Sequence, residues 1–150
     1  MILLYGHPRT GKSHLLQQIG LGQDLDALIL QHAQGEQTSL KHFFLNFPEQ
    51  FQFLESHLLH QSTSKLMALG GSTLLRTSAP KGALIIYLYT PYAILEKRWL
   101  TSKPAALEHQ SHQLFYEQRH LHYLKQADLI LPSDSAWNVE NIKRIIRMKT

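Results

Sequence analysis

Gly6-His7-Pro8-Arg9-Thr10-Gly11-Lys12-Ser13 follows directly on the apolar run Met1 to Tyr5. A strand-like run that breaks into two spaced glycines and then into Lys-Ser is the pattern of a loop that cradles phosphate and opens a helix. Gly6 and Gly11 let the backbone turn so that successive N–H groups face phosphate oxygens, while Lys12 adds a positive charge. His7, Pro8, Arg9 and Thr10 complete the cradle, His14 lies just inside the helix, and Ser13 can offer its hydroxyl to magnesium. A helix beginning near Lys12 would also present unpaired N–H groups and the positive end of its dipole to the anion. Two glycines alone could merely punctuate a turn, but four specified positions directly behind an apolar strand seldom coincide by accident.

The rest of the chain bounds what surrounds this loop. Its 150 residues, 43% hydrophobic and 17% charged, suit one compact domain with a sizeable core. The formal charge of +4 is modest, and its basic residues are scattered until Lys143-Arg144 and Arg147 to Lys149, so no nucleic-acid partner is expected. Cysteine is absent, which excludes disulfides and thiol catalysis. No apolar run is long enough for a bilayer, and the amino terminus is taken up by the first strand and its loop, so a cytoplasmic chain with no membrane partner is expected.

Apolar strand-like runs alternate with helical stretches, which predicts an α/β fold with a central five-stranded parallel sheet flanked by helices. The strands are Met1 to Tyr5, a short one ending near Asp24, Lys65 to Leu69, Ala83 to Tyr89, and Asp128 to Leu131. Phe51, Leu54 and Leu58 share one helical face, Leu114, Leu121 and Leu124 another, and Val139, Ile142 and Ile146 define a final amphipathic helix. Ligands are expected at the carboxyl ends of the strands.

Four further features follow predicted strands or adjoin the last one. Asp24-Leu25-Asp26 places two carboxylates on one side of a locally extended segment: one to bind magnesium, the other to orient or deprotonate a hydroxyl. Aspartates also cap helices, and that alternative stands beside the first. Gly70-Gly71-Ser72 gives backbone that a ligand can approach closely. Arg119, in the helical stretch Tyr116 to Gln126, has the guanidinium suited to clamping a carboxylate. Lys103-Pro104 lies in the aperiodic stretch Thr101 to Leu107, long enough for a lid that carries a cation over phosphates. The 10 histidines do not form a convincing metal set: His120 and His122 do not share a helix face, and His109 with His112 gives only two ligands.

In order and spacing these features resemble the shikimate kinase family, small P-loop kinases that phosphorylate a hydroxyl of shikimate with ATP and magnesium. The resemblance covers nearly the whole chain. Asp24-Leu25-Asp26 matches the family's D-x-D, Phe51 to Glu55 its F-R-x-x-E, and Ala68 to Ser72 its A-T-G-G-G. Ile86-Tyr87-Leu88 with Leu95 and Arg98 is similar to V-Y-L followed by L-x-x-R, Lys103 to Ala106 to the lid R-P-L-L, and Arg119 to Asp128 to R-x-P-L-Y-x-x-x-A-D. The resemblance implies a three-layer P-loop kinase fold with a lid around 101–110. It also implies that Asp26 holds and positions the acceptor hydroxyl, Asp24 helps organise magnesium, and Gly70 and Gly71 line the acceptor pocket. Arg119 would bind the acceptor carboxylate, Lys103 would stand over the transferring phosphate, and Arg98 would lie against adenine.

The departures concentrate on the acceptor. Gln52 replaces an arginine that would share the carboxylate with Arg119, a change worth roughly 1.5 to 3 kcal/mol of acceptor binding. Lys41 and Arg76 are the nearby cations that could restore that charge. Ser72 replaces the third glycine, Lys103 an arginine, and Arg9 a usual glycine, and the short stretch from Ser13 to Asp24 requires a brief first helix. The implied function is ATP-dependent phosphoryl transfer to a small carboxylated alcohol, shikimate first, by a monomer whose catalytic residues are Lys12, Asp26 and Lys103. A kinase for a sugar acid or a nucleoside monophosphate, or a nucleotide-binding regulatory protein without turnover, would share the scaffold.

Overall fold

Five strands form one parallel sheet in the order β2-β3-β1-β4-β5, comprising β1 (Ile2–Tyr5), β2 (Gln23–Asp24), β3 (Leu66–Ala68), β4 (Leu84–Tyr89) and β5 (Leu129–Pro132). Among the described residues eight helices occur: α1 (Lys12–Ile19), α2 (Leu25–His32), α3 (Leu40–Asn46), α4 (Pro48–Gln61), α5 (Thr73–Arg76), α6 (Tyr92–Thr101), α7 (His112–Gln126) and α8 (Asn138–Lys149). The structure is a computed structural model and describes residues 1–33, 39–101, 111–135 and 137–149. Lys103, with the lid expected around 101–110, therefore falls beyond Thr101 outside the described residues, as does His109.

The sheet is covered on both faces because its central strands are apolar at every position, not at alternate ones. Leu3, Tyr5, Met67, Leu69, Ile85 and Tyr87 face one layer, where they meet Leu25 and Ile29 of α2, Phe51 and Leu59 of α4, and Tyr123 of α7. Ile2, Leu4, Leu66, Ala68, Ile86 and Leu88 point the other way, onto Leu15, Leu16 and Ile19 of α1 and onto Ile142 and Ile146 of α8. The period-two alternation of β1, β3 and β4 thus divides the core into two halves, which makes three layers. A smaller cluster joins α6 to α7 through Leu95, Trp99, Phe115 and Tyr116.

Two sequence expectations change. Leu114, Leu121 and Leu124 do lie on α7, but they are exposed by 51%, 66% and 40%, and the buried face is Phe115, Tyr116 and Tyr123. That helix also begins one turn earlier than expected, because Ser111 caps it by accepting from the Leu114 N–H at 3.4 Å. As the spacing required, α1 is short. It runs for eight residues and stops at Gly20, which takes the left-handed conformation (φ 83°) that a side chain disfavours.

Strand β1 lies between β3 and β4, so the chain leaves it at the point where the connections diverge to either side of the sheet. Open parallel sheets place ligands in the crevice at that point. The residues at the ends of β1, β2, β3 and β4 form the candidate site.

Candidate functional site

The loop after β1 is held from beneath. Gly6 (φ 154°) lies so near β4 that a Cβ would come within 2.9 Å of the Leu88 carbonyl. Thr10 donates to that same carbonyl at 3.2 Å and shares a 2.5 Å hydroxyl contact with Thr90, whose hydroxyl also meets that of Ser133 beyond β5. The Trp99 indole donates to the Pro8 carbonyl and Arg98 to the Arg9 carbonyl, both at 2.9 Å. Arg9 itself has φ 68°, left-handed backbone at a residue that carries a side chain. This is the position where the family resemblance leads one to expect glycine, and the loop keeps the glycine conformation without the glycine.

His7 does not face the cleft. Its imidazole is fully buried, stacked on Tyr116 at 4.3 Å with an interplanar angle of 3°, and its Nε2 donates to the Tyr116 carbonyl at 3.0 Å. Burial drives its pKa down to about 3, so it is neutral, and only its backbone belongs to the cradle. No side chain caps α1, so the N–H groups of its first turn remain for an anion.

Lys12 is buried, and its ammonium donates to the Gly6 and His7 carbonyls at 2.8 and 2.9 Å. An ammonium has three donors, which leaves one for a phosphate oxygen. Burial lowers its pKa to about 8, against the pull of Asp26 and Asp24.

Asp24 and Asp26 reach the same cleft as Lys12, but not by strand alternation. Strand β2 ends at Asp24, and Leu25 already begins α2. Asp24 caps that helix by accepting from the Ala27 N–H at 3.2 Å and also accepts from the Ser13 hydroxyl. Asp26 follows in the first turn, with its carboxylate against Gly70, where a Cβ would stand 2.7 Å from Oδ1. Gly70 is thus required by close approach. Burial, reinforced by Asp24 and opposed by Lys12, raises the Asp26 pKa to about 6.

These groups line a cleft of about 370 Å³ with Pro8, Arg9, Gly11, His14, Leu69 and Gly71. Across the phosphate loop a second cavity of about 590 Å³ is bordered by Thr10, His14, Gln18, Arg98, Ser133 and Asp134. Arg9, Gly11 and His14 belong to both, so one loop serves two compartments. Ser133, Asp134 and Ser135 were not singled out in the sequence, although they directly follow β5, where the strand-end rule would have found them. A third cavity, of about 520 Å³, near Phe43, Phe47 and Phe53 lies on α3 and α4, away from the phosphate loop.

The remaining expected residues divide. Gly71 lines the cleft and its carbonyl accepts from the Tyr123 hydroxyl at 2.5 Å. Ser72 accepts from Arg76 at 2.7 Å. Gln52 is exposed and donates to the Arg76 carbonyl at 3.3 Å, so its amide serves α5 and does not reach the cleft. Arg119 lies 5.0 Å over the Phe115 ring, with its Nη1 buried and without a hydrogen-bond partner. The histidines considered for metal do other work: His122 pairs with the Tyr5 hydroxyl at 2.7 Å, and His120 with the Tyr87 hydroxyl at 2.8 Å.

No protein-family model and no curated protein sequence matches the chain. Solved structures do. Shikimate kinase from Bacteroides thetaiotaomicron superposes with a TM-score of 0.67 at 18% identity, covering 99% of this chain and 97% of that one. Shikimate kinase from Acinetobacter baumannii, solved in complex with shikimate, gives 0.70 at 19% identity, covering 99% and 91%. The enzyme from Aquifex aeolicus gives 0.62 at 18%, covering 98% and 94%. Over its whole length, and at low sequence identity, the chain adopts the P-loop kinase fold of the shikimate kinases.

Proposed function

We propose that this protein transfers the terminal phosphoryl group of ATP to a hydroxyl of a small carboxylated alcohol, with shikimate the first acceptor to test. One observation carries the reading: the Lys12 ammonium beneath the phosphate loop and the Asp26 carboxylate against Gly70 open into the same cleft. A cation for phosphate and a base for a hydroxyl are what phosphoryl transfer asks of a protein, since most of its acceleration comes from alignment and charge neutralisation.

Lys12 and the first-turn amides of α1 would bind the phosphates, and the cavity beside Arg98 and Asp134 would take the base and ribose. Asp26 would accept a hydrogen bond from the acceptor hydroxyl and, at a pKa of about 6, take its proton as the bond to phosphorus forms. The Ser13 hydroxyl and Asp24 carboxylate, already in contact, are a hard oxygen pair that suits magnesium. Magnesium bound there would neutralise charge on the outer phosphates. Lys103, expected over the transferring phosphate, completes the set.

The test is ADP release by the purified chain with ATP and magnesium, offered shikimate, gluconate or nucleoside monophosphates in turn. Release with shikimate alone is the expected result. Release with another acceptor reassigns the substrate, and nucleotide binding without release under any condition makes the protein a nucleotide-dependent binder.

A further inference from the structure

Between Gly6 and Lys12 the phosphate loop turns its polar side chains inward, with one exception. His7 is buried against Tyr116, Thr10 on the Leu88 carbonyl and the Thr90 hydroxyl, and Lys12 on two carbonyls of the loop itself. Arg9 is exposed. Among the described residues it is also the one non-glycine with a positive φ. A glycine would take that bend without steric cost, so a side chain at this point works against the fold, which makes a role in the site the first thing to look for.

The backbone is anchored where this side chain departs, since Arg98 and Trp99 hold the carbonyls of Arg9 and Pro8. From that point Arg9 borders both the cleft that holds Lys12, Asp26 and Gly70 and the cavity beside Arg98 and Asp134. Gly11 and His14 border both as well, but glycine has no side chain and an imidazole offers at most two donors, whereas a guanidinium offers five in a planar fork. A nucleotide with its base in the cavity and its last phosphoryl group in the cleft must carry its outer phosphates across this shared rim. Lys12 has one donor left for them. The charge that spreads over the oxygens of a departing phosphoryl group calls for more than one.

We propose that the Arg9 guanidinium is a catalytic residue that donates to the phosphoryl group as it is transferred, so that the loop supplies its own mobile cation beside the fixed one of Lys12. The assignment rests on the phosphotransfer reading. In that step the acceptor oxygen forms a bond to the terminal phosphorus, the bond from that phosphorus to the oxygen of ADP breaks with its electron pair kept by ADP, and the acceptor proton passes to Asp26. Negative charge grows on the ADP oxygen while it moves outward over the loop. Arg9 would meet that charge more fully than it meets ATP at rest, which is the condition for raising kcat and not merely affinity.

The test compares the unaltered protein with Arg9→Gly, which accepts the left-handed bend without strain, and with Arg9→Lys, which keeps a charge and loses the fork. Calorimetry would measure ADP affinity with magnesium and shikimate present, first without and then with aluminium fluoride, a stand-in for the phosphoryl group in flight. In the unaltered protein the fluoride is expected to tighten ADP at least about tenfold. Arg9→Gly should abolish that gain while ADP alone binds within about twofold, and Arg9→Lys should keep part of it. In turnover, Arg9→Gly should lower kcat roughly 10²- to 10³-fold with KM for ATP held within about threefold. A fluoride gain or a kcat that survives Arg9→Gly overturns the assignment, and so does an equal loss of ADP affinity, which would make Arg9 a ground-state phosphate contact. Absence of any fluoride gain in the unaltered protein overturns it too. The ADP-release assay judges the reaction separately: release that survives Arg9→Gly keeps the transfer and removes Arg9 from it, whereas a fluoride gain lost in Arg9→Gly without release to any acceptor keeps the guanidinium on the last phosphoryl group while the acceptor reading fails.

Discussion

At the scale of single residues, the protein holds two groups at protonation equilibria that an open surface would not give them. Asp26 is raised from its ordinary 3.8 to about 6, and Lys12 is lowered from 10.5 to about 8, each mainly by burial. The proposed transfer would need Asp26 ionised and Lys12 charged, so kcat/KM of the free protein should follow a bell with limbs near those two values. A flat profile across both limbs would remove Asp26 and Lys12 from the chemistry. The same shifts oppose stability. Between pH 3.8 and 6 the folded Asp26 retains a proton that the unfolded chain has lost, so its contribution falls as pH rises through that window and stays unfavourable above it. Lys12 carries its cost in full below pH 8 and sheds it between 8 and 10.5. Asp26→Asn should therefore become more stable than the unaltered protein as pH rises from 4 to 7, by about 1 to 2 kcal/mol in denaturant titrations. Its transfer rate should drop roughly 10²- to 10⁴-fold. Lys12→Ala should cut transfer by at least about 10²- to 10³-fold while circular dichroism shows the fold intact. Normal turnover in that variant would sink the cleft as the reacting site.

At the scale of elements, the loop from β1 to α1 is where local rules are broken and support is supplied from outside. Arg9 occupies left-handed backbone, a conformation that costs a residue with a side chain roughly 1 to 2 kcal/mol. Bonds from Arg98 to the Arg9 carbonyl and from Trp99 to that of Pro8 fix the bend and offset it. Arg9→Val, β-branched at positive φ, should lower the melting temperature by several degrees, whereas Arg9→Gly should leave it nearly unchanged because relief of strain balances the freedom gained by the unfolded chain. Equal melting temperatures for the two would show that the left-handed bend is not populated in solution. The sequence made this loop legible because its glycines and lysine are demanded by geometry at fixed offsets. Helix α7 was harder to read. Leu114, Leu121 and Leu124 and the set Phe115, Tyr116 and Tyr123 both satisfy helical spacing, and only the aromatic layer under the loop, centred on His7, decides that the second set is buried. Asp24 and Asp26 were correctly grouped for an incorrect reason: cap and first turn converge here, where an extended segment was expected.

At the scale of the whole molecule, the central strands could be read from the sequence, to within about a residue at each end, because β1 and the interior of β4 are buried on both faces and no polar alternation interrupts the run. What could not be read was which strand ends touch one another. That information lies in hydroxyls with no local pattern: Thr10 in the loop, Thr90 after β4 and Ser133 after β5 form a chain of contacts that joins three segments from distant parts of the sequence. Arg76 was likewise only one of two nearby cations until Glu55 appeared beneath it, because pairing through a buried carboxylate leaves no periodic trace. The hydroxyl chain suggests a division of labour between the two compartments of the cleft. Thr90 is 1% exposed, and its two partners, Thr10 and Ser133, both line the cavity beside Arg98 and Asp134 and not the cleft that holds Asp26 and Gly70. Thr90→Val keeps the shape but removes both hydroxyl contacts, so it should destabilise by about 1 to 3 kcal/mol. Its kinetic effect should be lopsided: KM for ATP rises several-fold as the phosphate loop loosens against β4 and β5, while KM for the acceptor stays within twofold, since Asp26 and Gly70 hang from α2 and the end of β3 instead. A rise in both constants together would mean that the loop and the acceptor turn move as one body, and that the two compartments are not separately held.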